Sequence, residues 1–288
     1  MASTARTQPR SLTPTFVLLG VLTSLLATPA ASQEAEGADV SAAAPAMSDI
    51  EILRTATRVL FGLGVVGGTT AFASNPLVLE TDMGQTPSVL VGLRVWPEEY
   101  AGFQLVYQGG FFGGLEVSQL QTVAGSATLG LTHHRLEGDF RYRAFTSPRP
   151  DAIELSARLG FVMNRLSPTD HSPTLVLSTT WFGPELGGVV KVPFAEGNLG
   201  VELEVDAILP FFVREAPVSS GVPDSAFGYH VGLAPYYRLL DTVFLGLRVD
   251  VRSFSADFAG QGERFGGVTD ASNDELYTSA QLEAEWAL

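Results

Sequence analysis

From His134 to Ala144 the sequence reads "HRLEGDFRYRA" and alternates without a break. Arg135, Glu137, Asp139, Arg141 and Arg143 occupy one parity, while Leu136, Gly138, Phe140, Tyr142 and Ala144 occupy the other. Successive side chains of a strand point to opposite faces, so this is a strand with one charged and one apolar surface. A strand so long and so cleanly divided has a different solvent on each side. Deciding which face meets which solvent decides the class of the protein.

The pattern recurs along the chain. In "LGVELEVDAIL", Leu199, Val201, Leu203, Val205, Ala207 and Leu209 oppose Glu202, Glu204 and Asp206. In "VFLGLRVDVRSF", Val243, Leu245, Leu247, Val249 and Val251 oppose Arg248, Asp250 and Arg252. The last segment sets Leu276, Leu282 and Trp286 against Glu275, Gln281, Glu283 and Glu285. Ten segments read as strands: 54–68, 86–96, 100–112, 132–146, 151–165, 174–193, 198–214, 226–239, 242–258 and 275–288. Connections alternate between short (97–99, 147–150, 195–197, 240–241) and long (69–85, 113–131, 166–173, 215–225, 259–274). One end of the sheet is trimmed and the other elaborated.

Cross-strand neighbours test the alternation. A four-residue turn at Ser147–Pro150 sets Arg143 opposite Glu154 and Asp139 opposite Arg158, two pairs of opposite charge, and it brings Leu136 beside Phe161. If the sheet closes, its last strand meets its first, which puts Arg54 and Arg58 near Glu283 and Glu285.

Residues 1–32 read as a cleavable secretory signal, with Arg6 and Arg10 before the apolar run "FVLLGVLTSLLA" and small residues in "TPAAS". That run is shorter than the roughly 20 apolar residues of a membrane-spanning helix. Residues 33–49 are acidic, rich in alanine and without periodicity, and read as a flexible tail, so the folded body is 50–288. The chain has no cysteine, which rules out disulfides. Its formal charge of −14 speaks against nucleic acid as a partner.

A soluble barrel puts its apolar parity inside, whereas a membrane barrel puts it outside, against lipid. Tyr100, Phe111, Phe140, Tyr142, Phe194, Phe211, Tyr229, Tyr237 and Trp286 lie near segment ends on the apolar parity, as aromatic girdles do. With the signal, the strand lengths and the alternating connections, the chain over 50–288 resembles the outer-membrane β-barrel proteins of Gram-negative bacteria. The resemblance implies an all-β, antiparallel up-and-down transmembrane β-barrel of about ten strands, with eight and twelve as neighbouring even counts. It also implies an outer-membrane location, outer-membrane lipid as the surroundings, and recognition by the barrel assembly machinery through the C-terminal strand "YTSAQLEAEWAL". That family's terminal strand ends in an aromatic residue, whereas here Leu288 is last and Trp286 is the aromatic.

In that setting the charged parity fills the lumen. Arg54, Arg58, Asp139, Arg143, Glu154, Arg158, Arg248, Asp250, Arg252, Glu283 and Glu285 are expected to form a structural charge network that leaves the lumen plugged or narrow. Three other features are weighed. "GLGVVG" at Gly62–Gly67 matches a dinucleotide fingerprint in letters, but no helical pattern follows it, and we read it as glycine-rich strand. His133 and His134 are adjacent and face opposite ways, so they do not share a metal. His134, with Asp170 and His171 in a long connection, is a candidate for rim chemistry of the kind omptin-type outer-membrane proteases perform. The sequence predicts no cofactor and no enzyme activity, and it identifies no extracellular ligand. The expected role is structural, surface-binding or narrow-channel. Its alternatives are an outer-membrane barrel enzyme, an omptin-like protease or lipid-modifying hydrolase, and a soluble exported ligand-binding barrel.

Overall fold

The protein is described by a computed structural model that covers residues 54–75, 78–117, 127–149, 151–169, 176–264 and 267–288. The strands are β1 (Arg58–Asn75), β2 (Val78–Val95), β3 (Ala101–Val117), β4 (Ala127–Phe145), β5 (Glu154–Pro168), β6 (Ser178–Phe194), β7 (Leu199–Ile208), β8 (Phe212–Ala216), β9 (Val222–Leu240), β10 (Val243–Gln261) and β11 (Thr269–Ala287). Every pairing between them is antiparallel, and each joins neighbours in chain order except β6–β8, β7–β9 and the closing β1–β11. Among the described residues no helix is long and apolar enough to cross a membrane.

The eleven strands make ten staves. β7 pairs with residues Glu185–Phe194 of β6, and β8 pairs with Ser178–Phe182 of the same strand. The two are one stave interrupted at Leu209–Phe211, where Pro210 has no N–H to offer the ladder. Closure is through β1 and β11, in register from Arg58 opposite Ala287 to Ala73 opposite Ser272, with a one-residue shift before Asn75 opposite Thr269. A closed sheet leaves no unpaired edge, which lipid could not satisfy.

Two expectations need correction. The turn after β4 is longer than four residues, and Arg143 faces Ser156, Arg141 faces Arg158 and Asp139 faces Gly160. The shift is two residues, which keeps every side chain on its face and turns the expected partners into diagonal neighbours. The connections read as long are partly strand: β1 and β2 run on to Asn75 and Val78, and β10 and β11 to Gln261 and Thr269. An 18-residue strand is about 60 Å long and, at a tilt of about 40°, rises about 45 Å against an apolar band of about 25 Å. The barrel therefore extends well past that band at the elaborated end.

The outer face carries a belt of exposed apolar side chains, among them Leu63, Phe140, Leu159, Leu247 and Leu282 at 49–64% exposure. Beyond the belt the outer face turns acidic, with Glu80, Asp82, Glu116, Asp257 and Asp274 exposed. The interior turns the other way. Arginines and carboxylates fill it at the level of the belt, and Phe72, Leu79, Leu115, Leu166, Trp181, Ile208 and Phe254 pack it above.

Candidate functional site: the lumen

Of the two parities in "HRLEGDFRYRA", the charged one points inward: Arg135, Glu137, Asp139, Arg141 and Arg143 are all buried, while Leu136, Phe140 and Tyr142 are exposed. The same holds in β7 and β10, where Glu202, Glu204, Asp206, Asp250 and Arg252 are buried and Leu203, Leu247 and Val249 are exposed. An inside-out arrangement of this kind has one suitable solvent, a lipid belt. The chain is a transmembrane β-barrel. Its architecture is that of the Gram-negative outer-membrane barrels.

The network is built around Arg158 on β5. Its guanidinium contacts Glu137, Asp139 at 3.1 Å, Glu185 at 3.6 Å, Glu204, and Asp206 at 2.9 Å, joining β4, β6 and β7. Arg252 on β10 donates to Glu137 on β4 at 2.6 Å. Those strands are five staves apart in a ring of ten, so this bond crosses the full width of the lumen. Arg248 binds Glu204 at 2.8 Å, Glu283 at 3.0 Å and Glu202 at 3.2 Å, and Arg141 holds Asp139 at 2.7 Å. His230 lies between two carboxylates, with Nδ1 2.7 Å from Asp206 and Nε2 2.8 Å from Asp250.

Glycine makes room for these groups. A Cβ on Gly187 would stand 2.0 Å from Asp206 Oδ1, and one on Gly232 would stand 2.8 Å from Asp250 Oδ1. The sequence places both glycines opposite carboxylates in adjoining strands, Gly187 facing Asp206 and Gly232 facing Asp250.

Toward the short-turn end, Arg58 pairs with Glu285 at 2.5 Å across the β1–β11 seam, and Arg94 reaches the same carboxylate at 3.4 Å. Arg143 lies over the Trp96 ring, 3.5 Å from its centroid, donates to the Glu99 carbonyl at 2.7 Å and stands 3.6 Å from Glu154. Toward the other end, Glu275 accepts from Tyr277 at 2.5 Å, Trp181 at 2.7 Å and Asn273 at 3.1 Å, at the boundary with the apolar chamber. Free space inside is small. A cavity by Arg135, His133 and Gln108 measures about 10 Å³, and one by Arg94, Lys191 and Tyr236 about 40 Å³.

The residues singled out from sequence sort unevenly. Asp139 with Arg158, Arg143 with Glu154, and Arg58 with Glu285 come together, and Arg248, Asp250, Arg252 and Glu283 join the network. Arg54 does not reach Glu283 or Glu285. It pairs with Glu99 at 2.5 Å beyond the start of β1, where the β2–β3 turn is the nearer acid. His134 faces outward, its Nδ1 2.8 Å from the Tyr107 hydroxyl and its ring edge-on to Phe111. Asp170 and His171 lie outside the described residues. Sequence reasoning passed over Glu185 and His230. Each is a polar residue on the inward parity of a stretch rich in glycine and aromatics, and that inward position was the available signal.

No protein-family model matches this chain, and no curated protein matches it. Solved structures similar to it include the outer membrane protein OprG from Pseudomonas aeruginosa, at 8% identity over 81% of this chain and 98% of that one, TM-score 0.38. The translocator domain of the autotransporter NalP from Neisseria meningitidis matches at 16% identity over 81% and 89%, TM-score 0.38. An outer membrane channel from Pseudomonas putida F1 matches at 10% identity over 88% and 100%, TM-score 0.36. At these scores the likeness adds nothing to what the strand register itself establishes.

Proposed function

We propose that this chain is an outer-membrane barrel whose lumen is held shut by its own side chains, serving as a structural or surface-binding element rather than as an open pore or an enzyme. The observation that carries this reading is the bond from Arg252 to Glu137 across the full width of the ring. Buried charges are held in place when each meets several partners, and Arg158 meets five carboxylates. The chamber above supports the same reading, since it is packed by apolar side chains and its buried Arg264 is taken up by the Phe72 ring and Glu215.

Export through the leader at residues 1–32 and insertion through the alternating β11 complete the proposal. The strands that rise past the lipid belt, with their acidic outer face, are the surface offered to a partner outside the cell. His134, whose hydrogen-bond neighbour is the outward Tyr107, is read as an interfacial histidine. Planar-bilayer recording tests the central point. Wild-type protein is expected to give no sustained current at moderate voltage, and Arg252→Ala combined with Arg158→Ala to admit brief openings. Stable, ohmic single-channel steps from the wild type would overturn the proposal.

A further inference from the structure

Arg135 is the exception among the arginines of the charged zone. Arg58, Arg94, Arg141, Arg143, Arg158, Arg248 and Arg252 each have a polar partner within about 3 Å, whereas the nearest carboxylate contact of Arg135 is Glu137 at 4.0 Å. Its side chain is nonetheless buried, with 4% of the residue exposed. It lines the small cavity at the top of the charged zone together with Gln108 and Arg252.

The unmet groups around that cavity are mostly donors, with one acceptor, His133 Nδ1, whose Nε2 donates to Asn164 Oδ1. Gln108 Nε2, Asn164 Nδ2, Arg135 Nε and Arg252 Nε are buried donors without a hydrogen-bond partner. The carboxylate on the same wall, Asp250, has both oxygens engaged, Oδ1 by His230 Nε2 at 2.8 Å and Oδ2 by Ser279 at 3.3 Å. Glu137, the next nearest acid, is committed to Arg158 and to Arg252. A buried guanidinium without a close counter-charge is costly, and so is each orphaned donor. A water would satisfy some of these donors and give a hydrogen to His133 Nδ1, but it would leave the charge of Arg135 without a close counter-ion. A spherical anion accepts from several donors at once and supplies the missing negative charge.

We propose that this cavity is a binding site for one small monovalent anion of halide size, held by Arg135 and Gln108 with Arg252 behind. The cavity, about 10 Å³, has room for a single small occupant. The anion closes the charge network at its upper boundary, directly beneath the apolar chamber.

The test uses full-length barrel refolded in detergent in sodium bromide or, at equal ionic strength, sodium gluconate. Crystals grown in bromide are expected to show an anomalous peak within hydrogen-bond distance of Arg135 and Gln108, and the peak is expected to be missing in Arg135→Met. The unfolding midpoint of the wild type is expected to rise in bromide over gluconate, and the rise to vanish in the variant. Should Arg135→Met fail to fold, Gln108→Leu removes a neutral donor and is expected to reduce both signals. Bromide on surface arginines only, an ordered water at the cavity, or equal midpoints in the two salts would each overturn the proposal.

Discussion

The two ends of this lumen answer one problem in opposite ways. Within the lipid belt the outer face is apolar and the interior is charged, knitted by arginines such as Arg158, Arg248 and Arg252. Above the belt the outer face carries Glu80, Asp82, Glu116 and Asp274, and the interior holds Phe72, Leu115, Trp181 and Phe254. The same strands thus run from a membrane-type barrel into a soluble-type one, with the polarity of both faces reversing near Glu275 and Trp181. The outer solvent decides what the inside can be. Where water surrounds the wall, burying apolar side chains stabilises it by about 1.5–3 kcal/mol each. Where lipid surrounds it, the apolar residues are needed outside, and the inside is fixed by charges that gain specificity more than net energy.

Substitutions in the two zones sharpen this contrast. The largest effect is expected from Arg158→Ala, which leaves five carboxylates without their shared cation and should cost about 3–5 kcal/mol, enough to lower the urea midpoint in detergent sharply. Phe254→Ala in the chamber should cost about 3 kcal/mol through a cavity beside Trp181, whose ring centroid is 5.3 Å away. The contrast would break if Arg158→Met, which removes the charge but keeps much of the volume, proved milder than Phe254→Ala. At the seam, Glu285→Gln weakens a bond shared by Arg58 and Arg94 and is expected to cost about 1–2 kcal/mol, read as a lower temperature for loss of the compact, fast-migrating form on unheated SDS gels. Asp241→Ala, at an exposed turn pair with Arg238, should change the midpoint by less than about 0.5 kcal/mol.

Much of this was legible in residue alternation. The parities of β4, β7, β10 and β11, the closure of the last strand on the first and the ion pairs at Arg143, Asp139 and Arg58 follow from which residues share a face. The upper barrel was hidden by the polarity reversal itself. In "VLETDM", Val78 to Met83, the alternation is present, but Leu79 and Met83 point inward while Glu80 and Asp82 point outward. Just below, Gly84 and Gln85 are both outward, a bulge that changes the inward positions from odd to even numbers before Thr86 and Ser88. A parity count carried across that bulge fails, so the segment read as loop. In β3 the register shift between Gly110 and Gly113 does the same, leaving Phe112 almost fully exposed. The two-residue slip in the β4–β5 register was invisible for the opposite reason: an even shift preserves both faces, and charge complementarity survives on the diagonal.

The face assignment underlies every step of this account, and the three tryptophans report on it directly. Trp286 is outward at 45% exposure, whereas Trp96 and Trp181 are buried inside at 2% and 1%. Variants retaining a single tryptophan, reconstituted in bilayers with brominated acyl chains, measure contact with lipid by fluorescence quenching. The account predicts strong quenching for the protein that keeps only Trp286 and little for the one that keeps only Trp181. Quenching of Trp181 equal to or greater than that of Trp286 would contradict it.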